Sequence, residues 1–192
     1  MFGFKTKQQK QTARALYKAL QAQARSTVFY TDYGVPDTLD GRFDLLVLHA
    51  FLVIYRLESE GRSGHKYAQA LFDVMFRDME LNLREAGIGD LSVPKHVKRM
   101  MRGFNGRRAA YADSIKNVQD IDIMVETLNR NLYASGLGVT QEEVSDMAAY
   151  VIDSHAALAK QGFDDIKTGK INFITVSCKK KDKQDGNIGM AA

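Results

Sequence analysis

The segment Arg42 to Glu60, RFDLLVLHAFLVIYRLESE, is apolar on nearly every side of the helix it forms, and this limits the possible folds more than any other feature of the chain. A helix of this kind cannot lie on a surface, because each face would leave hydrocarbon in water. Its longest apolar run, Leu45 to Tyr55, is interrupted by His49 and is far shorter than the ~20 residues needed to cross a bilayer. It therefore belongs at the centre of a helical protein, with other helices on all sides.

The rest of the chain supplies those helices. Ala13, Leu16, Tyr17, Leu20 and Ala24 recur at three- and four-residue steps, predicting an amphipathic helix from about Thr6 to Ser26 with a basic outer face. Val28 to Asp40 carries Gly34 and Pro36 and reads as a connector, with Asp37 and Asp40 placed to favour a helix start. Gly61, Ser63 and Gly64 predict a break. After it, Ala68, Leu71, Phe72, Met75, Met79 and Leu83 form the stripe of a long helix ending at Gly87. Another helix starts near Val93, with Ser92 as its cap and Pro94 in its first turn, and Gly103 and Gly106 are expected to interrupt it before Asn117. A stretch from Asp120 to Tyr133 follows, closed by the glycines of ASGLG. Thr140 and Glu143 then match a capping box for a last long helix to Lys160. The expectation is all-α: a single-domain bundle of about six to eight helices, with the apolar helix near 42–60 at its centre. Residues 1–173 form the domain, and residues 174–192 are a polar, flexible tail.

Cys178 is the only cysteine, so no intramolecular disulfide forms and a reducing compartment is expected; in a polar tail it reads as a bystander thiol. The N-terminus has no secretory pattern, which points to a cytoplasmic protein.

No catalytic constellation is apparent. His49, His65, His96 and His155 are scattered without metal-ligand spacing, and neither GIG nor GLG follows a strand as a dinucleotide fingerprint requires. The chain is expected to be a binding protein, not an enzyme, with no metal and no cofactor. His49 lies seven residues before Arg56, on a similar face. It reads as a hydrogen-bonded structural histidine partnered by Asp73 or Asp78, the other option being a ligand or proton-handling role.

Two features point to partners. Lys95, Lys98, Arg99 and Arg102 form one ridge, extended by Arg107 and Arg108, with no carboxylate between Lys95 and Arg108. Read as more than a solvated face, six unopposed charges in fourteen residues suggest an anionic contact. Phe72, Met75, Phe76, Met79, Met100, Met101 and Phe104 gather adaptable apolar groups. These suit either core packing or contact with a varied apolar client, and Phe76, flanking its helix's main stripe, is the position expected to leave surface uncovered. Before Asp32 there are six positive charges and no acidic residue, an arrangement that attracts acidic protein, RNA or anionic lipid.

The stretches DGRFDLLVLHAFLVIYRL and AQALFDVMFRDMELNLREAGIGDLSVPKHVKRMMRGFNGR, and more loosely NRNLY, resemble the ubiquinol-cytochrome c chaperone family, assembly factors for respiratory complex III. Leu48-His49, Arg56 and Asp78 align with that family's recurring LH...R and D pattern, and the likeness covers roughly residues 10 to 160. The short N-terminus is similar to the alphaproteobacterial branch. The resemblance implies an all-helical chaperone of the cytoplasm or the cytoplasmic face of the inner membrane. It implies newly made cytochrome b as client, a ribosome exit region and a small partner protein as further contacts, and no DNA. It also implies that His49, Arg56 and Asp78 belong to one structural polar network. A helical RNA- or ribosome-binding protein, and a haem- or quinone-handling protein, are the competing readings.

Overall fold

The central helix is enclosed as its sequence requires. The computed structural model describes residues 7–117, 119–134 and 138–176. Within them the chain forms a single helical bundle of eight segments: α1 Lys7–Ala24, α2 Val28–Thr31, α3 Leu39–Glu58, α4 Gly61–Glu85, α5 Val93–Lys116, α6 Ile121–Asn131, α7 Gln141–Lys160 and α8 Phe163–Lys167. Helix α3 packs against α1, α4, α5 and α7, and thirteen of its twenty residues are buried. Two apolar cores meet along it. One joins α3 to α5, α6 and α7 through residues such as Phe51, Tyr111, Leu128 and Met147. The other joins α3 to α1 and α4 through Leu16, Leu20, Val53, Leu71 and Met75. No described helix is long and apolar enough to cross a membrane.

Local signals set several boundaries. Thr140 accepts from the Glu143 amide while the Glu143 carboxylate accepts from the Thr140 amide, completing the expected capping box of α7. Helix α3 is capped by Thr38, whose hydroxyl accepts from the Gly41 amide, with Asp40 in the first turn. Gly87 closes α4 in the left-handed region, at φ 83°.

Four expectations are corrected. The connector contains the short helix α2, which buries Phe29 against the α3–α7 core. Helix α5 runs unbroken through Gly103 and Gly106, because packing against α3, α4 and α6 outweighs two weak helix formers. Ser92 precedes α5 but its side chain makes no capping bond. Gly64 does not break the chain: α4 begins at Gly61, and at Gly64 the two helices press so closely that a Cβ would lie 1.7 Å from the Leu57 carbonyl oxygen. Glycine serves there through its lack of a side chain.

Residues past α8 also contribute more than the fading sequence pattern suggested. The Gln161 amide donates to the Lys170 carbonyl, and its side-chain oxygen accepts from the Asn172 amide. Ile171, Phe173, Ile174 and Val176 then pack against the cores. The expected tail from 177 onward, with Cys178, lies outside the described residues, as do residues 135–137 of ASGLG.

The two glycine environments give a direct contrast. Gly64→Ala should lower the urea midpoint by the equivalent of roughly 2 kcal/mol or more, since backbone must move to admit the methyl group. Gly106→Ala, exposed in α5 with nothing near its Cβ position, should raise it by about 0.5 to 1 kcal/mol. Equal effects at the two sites would refute the close-approach explanation.

Candidate functional site

The polar groups of α3 come first, because they fix the walls of the site. His49 is fully buried; its Nδ1 lies 2.8 Å from the Leu45 carbonyl oxygen and its Nε2 lies 2.9 Å from the Tyr150 hydroxyl. A carbonyl only accepts, so Nδ1 carries the proton and Nε2 accepts from Tyr150. Tyr150 in turn accepts from the Gln23 amide at 3.0 Å, extending the chain from α3 through α7 to α1. Phe29 and Phe173 meet the imidazole edge-on, each with ring centres 5.2 Å away. Burial pushes the imidazole pKa down to about 4, so it is neutral at physiological pH.

Arg56 closes the other end of the same contact. Its Nε donates to the Leu158 carbonyl at 2.9 Å and its Nη2 to the Gln161 carbonyl at 2.8 Å, satisfying carbonyls at the C-terminus of α7, while Glu60 lies 2.6 Å from Nη1. Asp78 lies elsewhere. It accepts from the Tyr17 hydroxyl at 2.8 Å and from the Gln21 amide at 3.3 Å, joining α4 to α1. The expected partnership of His49 with Asp73 or Asp78 is therefore corrected. His49, Arg56 and Asp78 do not form one network: His49 and Arg56 fasten α3 to α7 at two separate points, and Asp78 joins α4 to α1.

The basic ridge divides in two. Lys95, Lys98, Arg99 and Arg102 are exposed, and among the described residues none of them makes an ion pair. Arg107 lies 2.8 Å from Asp44, and Arg108 donates to both oxygens of Glu58 at 2.7 and 2.5 Å. Helix α5 crosses α3, and these adjacent arginines reach carboxylates near opposite ends of it. They are thus opposed charges that hold α5 in place, which corrects the view of six unopposed ones. The opposing carboxylates lie about fifty residues or more away in sequence, so local charge patterning could not reveal them.

The methionine and phenylalanine group also divides. Met75, Phe76, Met79 and Phe104 are buried, whereas Phe72, Met100 and Met101 are half-buried. Phe76, expected to leave surface uncovered, is only 4% exposed: Phe72 and Phe104 cover it at ring separations of 4.5 and 5.8 Å along the α4–α5 seam.

A groove of about 1280 Å³ runs between the C-terminal half of α1, the loop before α3, the end of α4 and the start of α5. Phe43, Leu46, Met79, Leu83 and Met100 supply its apolar lining; Arg25 and Arg99 stand around it, together with Asp40 and the Arg42–Asp37 pair, 2.6 Å apart. Leu39, 86% exposed, sits at its edge. Beneath lies the Asp44–Arg107 pair. Burial drives the Asp44 carboxyl up to about 6, against the opposing pull of Arg107. Nearby, the fully buried Tyr111 hydroxyl has no hydrogen-bond partner among the described residues. No described cluster of His, Cys, Asp or Glu could hold a metal ion. The arrangement can grip an apolar segment of chain and offer cations to anionic groups flanking it.

Sequence reasoning named Met79, Met100 and Arg99 but missed Phe43, Leu46, Leu83 and Leu39. A signal was present: Leu39, Phe43 and Leu46 recur at four- and three-residue steps at the head of α3.

The titration of His49 gives a test of the buried chain. The unfolded protein takes up a proton there below pH 6.5, while the folded protein refuses it until about pH 4. Stability from this group therefore falls as pH drops through that window. Asp44 acts in the opposite sense, favouring the folded state toward low pH between 3.8 and about 6. The urea-unfolding gap between the wild type and His49→Gln should accordingly shrink by roughly 3 kcal/mol from pH 7 to pH 4, at about 1.4 kcal/mol per pH unit. A gap independent of pH would mean that the folded protein protonates this imidazole freely.

Residues 31–173 match the family model described as ubiquinol-cytochrome C chaperone. The chain is 24% identical over 149 residues to Protein CBP3, mitochondrial, of Saccharomyces cerevisiae, covering 76% of this chain and 44% of that one. It is 27% identical over 104 residues to the ubiquinol-cytochrome-c reductase complex assembly factor 1 of Xenopus laevis, covering 54% of this chain and 51% of that one. It thus spans about half the length, or less, of the curated relatives it matches. The crystal structure of the Cbp3 homolog from Brucella abortus superposes with a TM-score of 0.77 at 31% identity, covering 88% of this chain and 92% of that chain.

Proposed function

This chain belongs to the ubiquinol-cytochrome c chaperone family, and from that premise we propose that it assists assembly of the ubiquinol-cytochrome c reductase, complex III, by holding newly made cytochrome b as its client. The groove between α1, α3, α4 and α5 is the observation that carries this reading. Its apolar lining suits a segment destined for a membrane, and Arg25 and Arg99 suit the polar or acidic flanks of such a segment.

Met79 and Met100 give the lining a deformable character, which suits a client that is incompletely folded when it binds. Lys95, Lys98 and Arg102 continue the positive surface outward from Arg99 along α5. Their contribution is to steer the encounter and add to affinity at the rim, whereas the apolar groups supply the grip. Phe72 and Met101, half-buried on neighbouring faces of α4 and α5, are secondary contact candidates. The protein acts by holding and releasing. The named names of its relatives, an assembly factor for ubiquinol-cytochrome-c reductase among them, support the same direction.

Crosslinking in cells followed by mass spectrometry tests the client's identity. Wild-type protein should capture cytochrome b. Met100→Glu, which places a charge in the lining, and the reversal Arg99→Glu with Arg102→Glu should each reduce the captured amount by roughly tenfold or more, with little loss of helical content. Capture of ribosomal RNA in place of cytochrome b, with the same dependence on Arg99 and Arg102, would replace this reading with the nucleic-acid one.

A further inference from the structure

The first helix carries a second charged surface, of which only the last member, Arg25, also borders the groove. Lys7, Lys10, Arg14, Lys18 and Arg25 fall within an arc of about 80° on α1 and its C-terminal extension, at 100° per residue. All five are exposed, α1 itself has no carboxylate, and among the described residues none of the five makes an ion pair. The opposite face of α1 is committed to the core through Ala13, Leu16, Tyr17 and Leu20. The stripe is therefore held rigidly outward, extending about 27 Å at 1.5 Å per residue.

Beside it, between α1 and α4, lies a shallow pocket of about 490 Å³. Lys10, Arg14 and Arg77 stand around it, Val74 and Leu81 line it, and Leu81 is an exposed large apolar side chain at 51%. Asp73 and Asp78 also face the pocket; Asp78 is engaged by Tyr17 and Gln21, and Asp73 accepts from Gln69. The cations on the α1 face outnumber these two carboxylates.

We propose that this face docks on an anionic phospholipid bilayer, with the α1 stripe on the headgroups and Leu81 entering the interfacial layer. A long straight row of cations can meet a plane with every charge at once, and an apolar plug beside it is what an interfacial site adds to charge attraction. Single-stranded RNA would call for exposed aromatic groups on which bases stack; the one aromatic side chain of α1, Tyr17, is buried. The proposal goes beyond the client reading, and it links to it in space. Arg25 ends the stripe and also lines the groove, so a bilayer-seated molecule holds that end of the groove at the lipid surface.

Vesicle co-flotation with the purified full chain tests this without any client present, so its outcome is separate from that of the crosslinking experiment. The wild type should bind phosphatidylcholine vesicles containing about 30% phosphatidylglycerol, lose binding as salt rises to about 0.5 M, and ignore pure phosphatidylcholine. The combined variant Lys10→Glu, Arg14→Glu, Lys18→Glu should bind roughly a hundredfold more weakly, at ~1 kcal/mol for each cation removed. Its neutral counterpart with Gln at the same positions should fall between, guarding against a folding defect, and Lys95→Glu with Lys98→Glu should bind as the wild type does. Wild-type binding indifferent to lipid charge, an unaffected α1 variant, or binding of polyuridylate through these residues without vesicle binding would each overturn the proposal.

Discussion

The need to bury α3 on all sides organises this molecule. Leu45, Leu48, Phe51, Leu52 and Leu57 face surroundings that exclude water almost completely. Each polar group that α3 carries inward must then find a partner there, because an unsatisfied buried donor or acceptor costs about 1 to 3 kcal/mol. His49 finds Leu45 and Tyr150, Arg56 finds the end of α7, and Asp44 finds Arg107 of α5. The same burial that stabilises the bundle thus dictates how α7 and α5 are set against it.

The groove follows from where that enclosure stops. At its N-terminal end α3 is only partly covered, and Phe43 and Leu46 stay half-buried. These side chains therefore line a groove with Met79, Leu83 and Met100 of α4 and α5. A rigid frame supports a lining that includes two flexible methionines, and arginines from three directions stand around it. Apolar side chains and exposed cations thus share one open groove.

Positive charge on this protein is sorted by what lies behind it. Arg107 and Arg108 are drawn inward to Asp44 and Glu58, where they hold α5 across α3. Lys95, Lys98, Arg99 and Arg102, one to three turns earlier on the same helix, face water. The α1 cations face water as well, and only Arg25 among them borders the groove. One composition therefore supports both internal fastening and external attraction, and only the fold distinguishes them.

Much of the architecture was legible along the chain. The central placement of α3, the amphipathic α1, the Gly87 terminus and the Thr140 capping box all follow from side chains within about one or two helical turns of each other, where helix geometry alone fixes who meets whom. The unbroken α5 and the Gly64 approach were not legible, because contacts with other helices outweigh local propensity there. The site divides along the same line. Arg99, Met79 and Met100 stood out by spacing, but the fate of Phe76, the pairing of Arg107 and Arg108, and the separation of Asp78 from His49 and Arg56 depend on residues distant in sequence. The sequence by itself determined an all-helical bundle around one apolar rod. Tertiary structure alone decided which charges are free and where the apolar enclosure opens, because neutralisation and burial depend on the distance between side chains in space and not on their order along the chain.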